Sequence, residues 1–184
     1  MVIMQKNILR TQMKEKRKIL SEQTREDLSR KIFTKLSELP EYINAKSVCV
    51  YMDSFGEVKT DSIIYDLRAS GKEILFPVSD KETKTLTLCK DCGRFESGAY
   101  GISEPEEKIS VSFDVPDLII IPGLAFDLDK NRVGFGAGYY DKLLEKSRAT
   151  KIGIGYDFQL VEKIESEEHD IKMDIVLTDM RIIV

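Results

Sequence analysis

The run Leu118-Ile119-Ile120-Ile121, opened by Asp117 and closed by Pro122-Gly123, constrains the fold of this chain more than any other stretch. Four consecutive apolar residues with no polar alternation describe a central strand covered on both faces, the habit of parallel sheets. Such a strand needs helices on either side, and the flanking sequence supplies them. Ser47-Val48-Cys49-Val50-Tyr51 reads as a short buried strand. Thr60 to Ser70 reads as a helix capped by Thr60 or Asp61, with Ile63, Ile64 and Leu67 facing inward. Glu73-Ile74-Leu75-Phe76 is a second strand, and Leu86-Thr87-Leu88 a third, set in a hairpin by the polar turn Asp80–Lys84. A helix at Tyr139–Lys146, a strand Lys151-Ile152-Gly153-Ile154-Gly155 and a terminal Arg181-Ile182-Ile183 complete the alternation. The fold class this predicts is α/β: a largely parallel central sheet flanked by helices. In such folds ligands sit beyond the carboxyl ends of the strands, which singles out the segments after Tyr51, Ile121 and Gly155.

Ahead of this pattern, residues 4–19 and 23–38 read as two helices, with Ser21 and Thr24 as candidate caps and Pro40 ending the second. We take residues 1–184 as one domain, with the helical segment 1–40 packed on it and Asp80–Val115 as a substructure over the sheet edge. In the first helix Leu9, Met13 and Leu20 form an apolar stripe beside a basic one of Lys6, Arg10, Lys14 and Arg17. On spacing alone, that basic stripe is a solvated face. The formal net charge is −4, yet residues 1–18 carry +5, leaving −9 for the rest. This asymmetry fits a basic helix that packs on an acidic body or meets an anionic ligand, and the overall sign disfavours general nucleic-acid binding. No apolar run reaches the length of a membrane span, no secretory core is evident, and three cysteines suit a reducing compartment, so the cytoplasm is the expected location.

The chemistry concentrates in Arg132-Val133-Gly134-Phe135-Gly136-Ala137-Gly138-Tyr139-Tyr140-Asp141. Three alternating glycines running into a helix start expose backbone amides to a ligand, the usual cradle for phosphate. Neither a P-loop nor a dinucleotide fingerprint fits, because no Gly-Lys-Ser/Thr follows and the preceding strand ends about a dozen residues earlier. Asp141, beside the loop, is the first carboxylate to consider for Mg²⁺, which needs only one or two protein carboxylates next to phosphates. Asp174 is a second, although an acidic surface explains its neighbourhood equally simply. Glu57, in Gly56-Glu57-Val58-Lys59-Thr60, either caps that turn or hydrogen-bonds a polar ligand, and Tyr51, Met52 and Phe55 nearby suit either a flat aromatic ligand or core packing. Cys89 and Cys92 have metal-ligand spacing but lack the two further ligands a zinc site requires. The single histidine, His169, reads as a surface residue.

Five segments together resemble one family, the 5-formyltetrahydrofolate cyclo-ligases or methenyltetrahydrofolate synthetases. They are Lys6-x-x-x-Arg10; Tyr51 with Gly56-Glu57-Val58-x-Thr60; Pro122-Gly123-Leu124-Ala125-Phe126-Asp127; Arg132 to Asp141; and His169-Asp170-x-x-Met173-Asp174. The resemblance implies a fold like that of ribose-5-phosphate isomerase and CoA-transferases, and an ATP- and Mg²⁺-dependent closure of 5-formyltetrahydrofolate to 5,10-methenyltetrahydrofolate. Matched by position, it implies ATP contacts from Lys6, Asn7, Ile8, Leu9 and Arg10. The loop Arg132, Val133, Gly134, Phe135, Gly136, Ala137, Gly138, Tyr139 and Tyr140 would complete the nucleotide site. Met52, Glu57 and Tyr139 would contact folate, Arg10, Arg132 and Tyr140 would serve catalysis, and Asp141 and Asp174 would bind Mg²⁺. The expected partner is the small-molecule substrate 5-formyltetrahydrofolate, met by a monomer, with neither nucleic acid nor membrane as partner. Phe135 and Ala137 stand where some members carry basic residues, and Lys59 where an acidic one is common.

Overall fold

Leu118–Pro122 is indeed the middle of the molecule. In the computed structural model, which describes residues 3–167 and 170–184, an eight-stranded sheet surrounds it. In chain order its strands are β1 (Ser47–Cys49), β2 (Glu73–Asp80), β3 (Thr85–Lys90), β4 (Ser110–Val111), β5 (Leu118–Pro122), β6 (Thr150–Ile154), β7 (Ile175–Leu177) and β8 (Ile182–Ile183). Their spatial order is β8-β7-β6-β5-β1-β2-β3-β4. The five central strands pair in parallel, while β8, β3 and β4 at the edges pair antiparallel, so the sheet is mixed. The antiparallel β2–β3 edge is the hairpin expected at Asp80–Lys84, whereas β8 and β4 add antiparallel edges that the parallel expectation did not include. A short turn closed by the Thr178 amide on the Arg181 carbonyl returns the chain at once for β8.

Helices α1 (Lys6–Lys18), α2 (Glu22–Ser37), α3 (Pro40–Asn44), α4 (Asp61–Ala69) and α5 (Tyr139–Lys146) cover the sheet. The period of two along β5 divides its apolar run between two cores. Leu118 and Ile120 pack with Ile32 and Leu36 of α2 and Ile63, Ile64 and Leu67 of α4. Ile119 and Ile121 point the other way, to Leu143 and Leu144 of α5. All four β5 residues are fully buried, each contributing about 1.5–3 kcal/mol of transfer free energy. A third, smaller cluster seats α1 through Leu9 and Met13 on Leu124, Ala125, Val133 and Ile164.

Local signals account for the helix ends. The Ser21 hydroxyl accepts from the Thr24 amide at 3.1 Å, capping α2 as expected. Helix α1 starts at Lys6, later than its apolar pattern suggested, because Ile3–Met4 pairs in parallel with Lys163–Ile164. Thr60 occupies the N-cap position of α4 but gives its hydroxyl to the Tyr51 carbonyl at 2.9 Å, tying the helix start to the end of β1. His169 lies outside the described residues.

Candidate functional site

Beyond the carboxyl ends of β1 and β5, a cavity of about 1330 Å³ opens between α1, the turn at residues 52–57, the 99–104 loop and the glycine loop. Drug-sized ligands occupy about 300–1,000 Å³, so this volume suits two ligands bound together. Its walls differ in kind.

One wall is the glycine loop. A hairpin pairing Ala125–Asp127 with Arg132–Val133 delivers Arg132 to the cavity. Buried Asp127 stiffens the hairpin, its carboxylate accepting from the Asn131 amide, the Asn131 side chain and the Ile164 amide at 2.8–2.9 Å. Arg132 donates to the Pro122 carbonyl at 3.3 Å and to Asp141 Oδ1 at 2.7 Å, with its guanidinium 5.5 Å from the Tyr140 ring centre. Gly138 holds φ at +72°, a conformation most side chains resist, and so turns the loop into α5 without a side-chain cap. The first amides of α5 therefore stay open to an anion. Arg10 closes over this loop, donating from Nε to the Gly134 carbonyl at 3.0 Å and from Nη1 to Asn7 Oδ1 at 2.7 Å. Lys6 faces the same space and holds Asp170 at 2.6 Å and Glu167 at 3.1 Å. Burial lowers its pKa, but the hydrogen bonds and charges of Asp170 and Glu167 outweigh that and raise it, so Lys6 is a cation.

The other wall is built around Glu57, which lies beside Tyr51 and Met52. Its backbone carbonyl accepts from Tyr156 Oη at 2.9 Å and Arg25 Nη2 at 3.1 Å, and its carboxylate accepts from the Ser54 amide at 3.1 Å. Glu57 thus closes its own turn and also faces the cavity. Burial raises its carboxyl to about 7, against the opposing pull of Arg17 and the Ser54 amide. Opposite it, Tyr140 is kept protonated because burial raises its phenol well above the usual value. Tyr140 is therefore a donor and not a base. Tyr139 lines the cavity too, its hydroxyl 2.9 Å from that of Tyr100 on the 99–104 loop.

Several expected residues fall elsewhere. Leu9 is fully buried in the α1 cluster and Ile8 is half exposed, because helical geometry turns both away from the Lys6–Arg10 face. Asp174 is absent from the cavity wall. It precedes β7 at the amino end of the strands, and its carboxylate accepts from the Lys151 amide at 2.7 Å. The structure does not bring it to Asp141. Lys59 points outward to Glu22 and Glu26, so it bears no charge into the cavity. Among the described residues no group of three or more His, Cys, Asp or Glu side chains forms a metal cluster.

Spacing alone missed Arg17, Glu167 and Asp170, all on the cavity wall. Arg17 belongs to the stripe whose spacing predicts a solvated face, yet it is 3 % exposed. The available signal was its place four residues after Met13, on the border between the apolar and basic stripes.

A cavity that joins a glycine-rich loop to a buried carboxylate at the carboxyl ends of parallel strands defines a class: an α/β protein whose ligand site lies at the strand ends, with room for two ligands side by side. A sequence profile of the 5-formyltetrahydrofolate cyclo-ligase family matches residues 2–179. The 5-formyltetrahydrofolate cyclo-ligase of Mycolicibacterium smegmatis is 30% identical, over 97% of this chain and 96% of its own length. That of Mus musculus is 29% identical, over 92% and 91%. The solved structure of Aquifex aeolicus 5,10-methenyltetrahydrofolate synthetase superposes with a TM-score of 0.85 at 35% identity, covering 96% of this chain and 91% of that one. A Mycoplasma pneumoniae 5,10-methenyltetrahydrofolate synthetase gives 0.78 at 26%, covering 95% and 98%. The chain belongs to the 5-formyltetrahydrofolate cyclo-ligase family, and it is an ATP-dependent ligase.

Proposed function

We propose that the cavity converts 5-formyltetrahydrofolate and ATP to 5,10-methenyltetrahydrofolate, ADP and phosphate, with the nucleotide on the glycine-loop wall and the folate against Glu57. The observation that carries this division is the contrast between the two walls of one 1330 Å³ space. A formamide oxygen is a poor leaving group. Transfer of the γ-phosphoryl group to that oxygen makes it a good one and leaves positive charge on the N5–carbon unit. The lone pair of N10 attacks this carbon, the ring closes, N10 gives up its proton, and phosphate departs with the oxygen.

Phosphoryl transfer of this kind depends on in-line positioning and charge neutralisation, so no side-chain nucleophile is required. Arg10, Arg132, Lys6 and the open amides of α5 supply those charges and donors, with Tyr140 as a fixed donor beside them. Glu57, Met52 and Tyr139 hold the pterin end. Asp141 suits Mg²⁺: its side chain is 45% exposed on the cavity wall, and Arg132 engages only its Oδ1. When bound, the ion supplies further neutralisation of phosphate charge. Asp174, held at the far end of the strands, has no part in this reading. The overall architecture fits the ribose-5-phosphate isomerase and CoA-transferase type. Our reading includes action in the cytoplasm as a monomer without a nucleic-acid or membrane partner; the net charge of −4 disfavours general nucleic-acid binding.

Growth of methenyl-folate absorbance from 5-formyltetrahydrofolate with MgATP tests the proposal. Purified protein that gives no signal above an enzyme-free control overturns it. Asp141→Asn is expected to lower the rate sharply and to raise the Mg²⁺ concentration needed for half-maximal rate. An unchanged Mg²⁺ requirement removes Asp141 from the metal role.

A further inference from the structure

Among the described residues Arg17 is a buried cation with two of its three guanidinium nitrogens left without a hydrogen-bond partner. Its side chain is 2% exposed, and Nη2 donates to the Gly123 carbonyl. Among the described residues, Nε and Nη1 are both buried with no hydrogen-bond partner. The nearest opposite charge is Glu57 Oε1, 4.0 Å from Nη1, too far for a hydrogen bond. Both groups line the cavity. Leaving a buried donor unpaired is costly, and two buried opposite charges that do not touch are a poor way to stabilise a fold.

The surroundings show that this placement is built. Gly56, at φ +72°, brings its backbone so close to α1 that a Cβ there would lie 3.1 Å from Arg17 Cβ. Gln159 donates to the same Gly123 carbonyl at 2.8 Å, fixing the acceptor that aims Arg17. Phe135 lies over the guanidinium, 5.9 Å from its ring centre. Arg17 is thus fixed from several sides, with its open donors next to the Glu57 carboxyl group.

The geometry points to Arg17 as a substrate-specificity residue that, together with Glu57, reads the amide edge of the pterin ring: Arg17 takes the ring carbonyl oxygen and Glu57 the adjacent ring N–H. The inference rests on the folate placement proposed above. A flat ring edge carrying an acceptor beside a donor completes both orphaned groups at once. A phosphate does not, because its charge at Nη1 would crowd the Glu57 carboxylate. Arg17 also lies two helical turns, about 10.5 Å, along α1 from Arg10, which serves the glycine loop. The stripe therefore divides: its first half faces phosphate, its last member faces the ring.

The test compares binding of 5-formyltetrahydrofolate with its 4-amino-4-deoxy counterpart, in which the ring carbonyl becomes a donor. Both are titrated by calorimetry against wild-type protein, Arg17→Gln and Arg17→Lys, and KM for ATP is measured alongside. Wild type should prefer the 4-oxo ligand by about 10- to 100-fold, the size of a charged hydrogen bond. That preference should collapse in Arg17→Gln with KM for ATP unchanged. Equal preference in wild type and Arg17→Gln overturns the assignment, as does a rise in KM for ATP with folate binding intact. Should Arg17→Gln fail to fold, Arg17→Lys and the wild-type ligand pair decide: an absence of 4-oxo preference in wild type refutes the proposal without any variant. Wild-type protein that neither binds nor converts 5-formyltetrahydrofolate refutes instead the folate placement on which the proposal stands.

Discussion

On the glycine-loop wall three cations already have a protein partner at hydrogen-bond distance: Arg132 holds Asp141 at 2.7 Å, Arg10 the Gly134 carbonyl at 3.0 Å, and Lys6 Asp170 at 2.6 Å. On the opposite wall Arg17 and Glu57 face each other at 4.0 Å without a hydrogen bond, and burial holds the carboxyl near 7. On the ligand placement proposed above, the difference follows from solvent and ligand charge. Phosphate is a strong, multivalent acceptor that can draw cations from weaker carboxylate or carbonyl partners, so pre-pairing keeps those side chains oriented without blocking the ligand. A neutral ring edge lacks that strength. Its partners must be fixed in advance, dry and unsatisfied, if they are to discriminate one ring from another.

The largest effect should come from breaking the first wall at its centre. Arg132→Ala removes the donor that aligns Asp141 and, on the proposed ligand placement, meets phosphate, and is expected to lower kcat/KM by about 10²–10³-fold. It also leaves the Pro122 carbonyl and Asp141 without this partner, at about 1–3 kcal/mol of stability. Steady-state rates and a melting curve measure the two together. A fall in stability with kcat/KM intact would assign Arg132 to the hairpin alone.

A smaller, more selective effect belongs to the second wall. Glu57→Gln should raise KM for the folate by about 10-fold, the worth of one hydrogen bond to a charged group, and leave KM for ATP alone. It also has a pH signature. A carboxyl raised from 4.5 to about 7 holds its proton more tightly in the folded chain than in the unfolded one. Its contribution to stability is therefore full below about pH 4.5 and is lost as pH climbs toward 7. Denaturant melts of the ligand-free protein between those limits should show this decline in wild type and a flatter profile in Glu57→Gln. Equal slopes would mean that Glu57 is ionised in both states, and the contrast between the walls would lose its electrostatic basis.

How much of this was legible in the sequence follows the same division. The central strand, the helices on both faces and the glycine loop rest on local patterns, and the structure has them within a few residues. Leu118–Ile121 and Gly134–Gly138 needed no distant partner to be read. Arg17 did. A cation on a helical stripe is solvated unless something covers it, and what covers it is the turn at Gly56 and the ring of Phe135, remote in sequence. Asp170 and Glu167 were hidden in the same way, since only the docking of α1 brings Lys6 to them. The hairpin at Asp80–Lys84 was legible from its polar turn, whereas the antiparallel β8 and β4 edges depended on chain returns that apolar patterning does not encode.

The smallest effect provides the sharpest control. Asp174 and Asp141 are both aspartates in motifs shared with one family, but they sit at opposite ends of the parallel strands. Asp174 is 54% exposed at the side chain, its Oδ2 accepts from the Lys151 amide at 2.7 Å, and Lys151 Nζ lies only 4.0 Å away. An asparagine oxygen can accept the same amide bond, and an exposed ion pair at that distance contributes little. Asp174→Asn is thus expected to leave the rate within about twofold of wild type and the stability within about 0.5 kcal/mol. Rate and Mg²⁺ dependence, measured side by side with Asp141→Asn, check this. If Asp174→Asn instead matched Asp141→Asn in its demand for Mg²⁺, the metal would have to be held by both ends of the sheet. The two walls could then not be the whole of the site, because the strands separate those carboxylates by their own length.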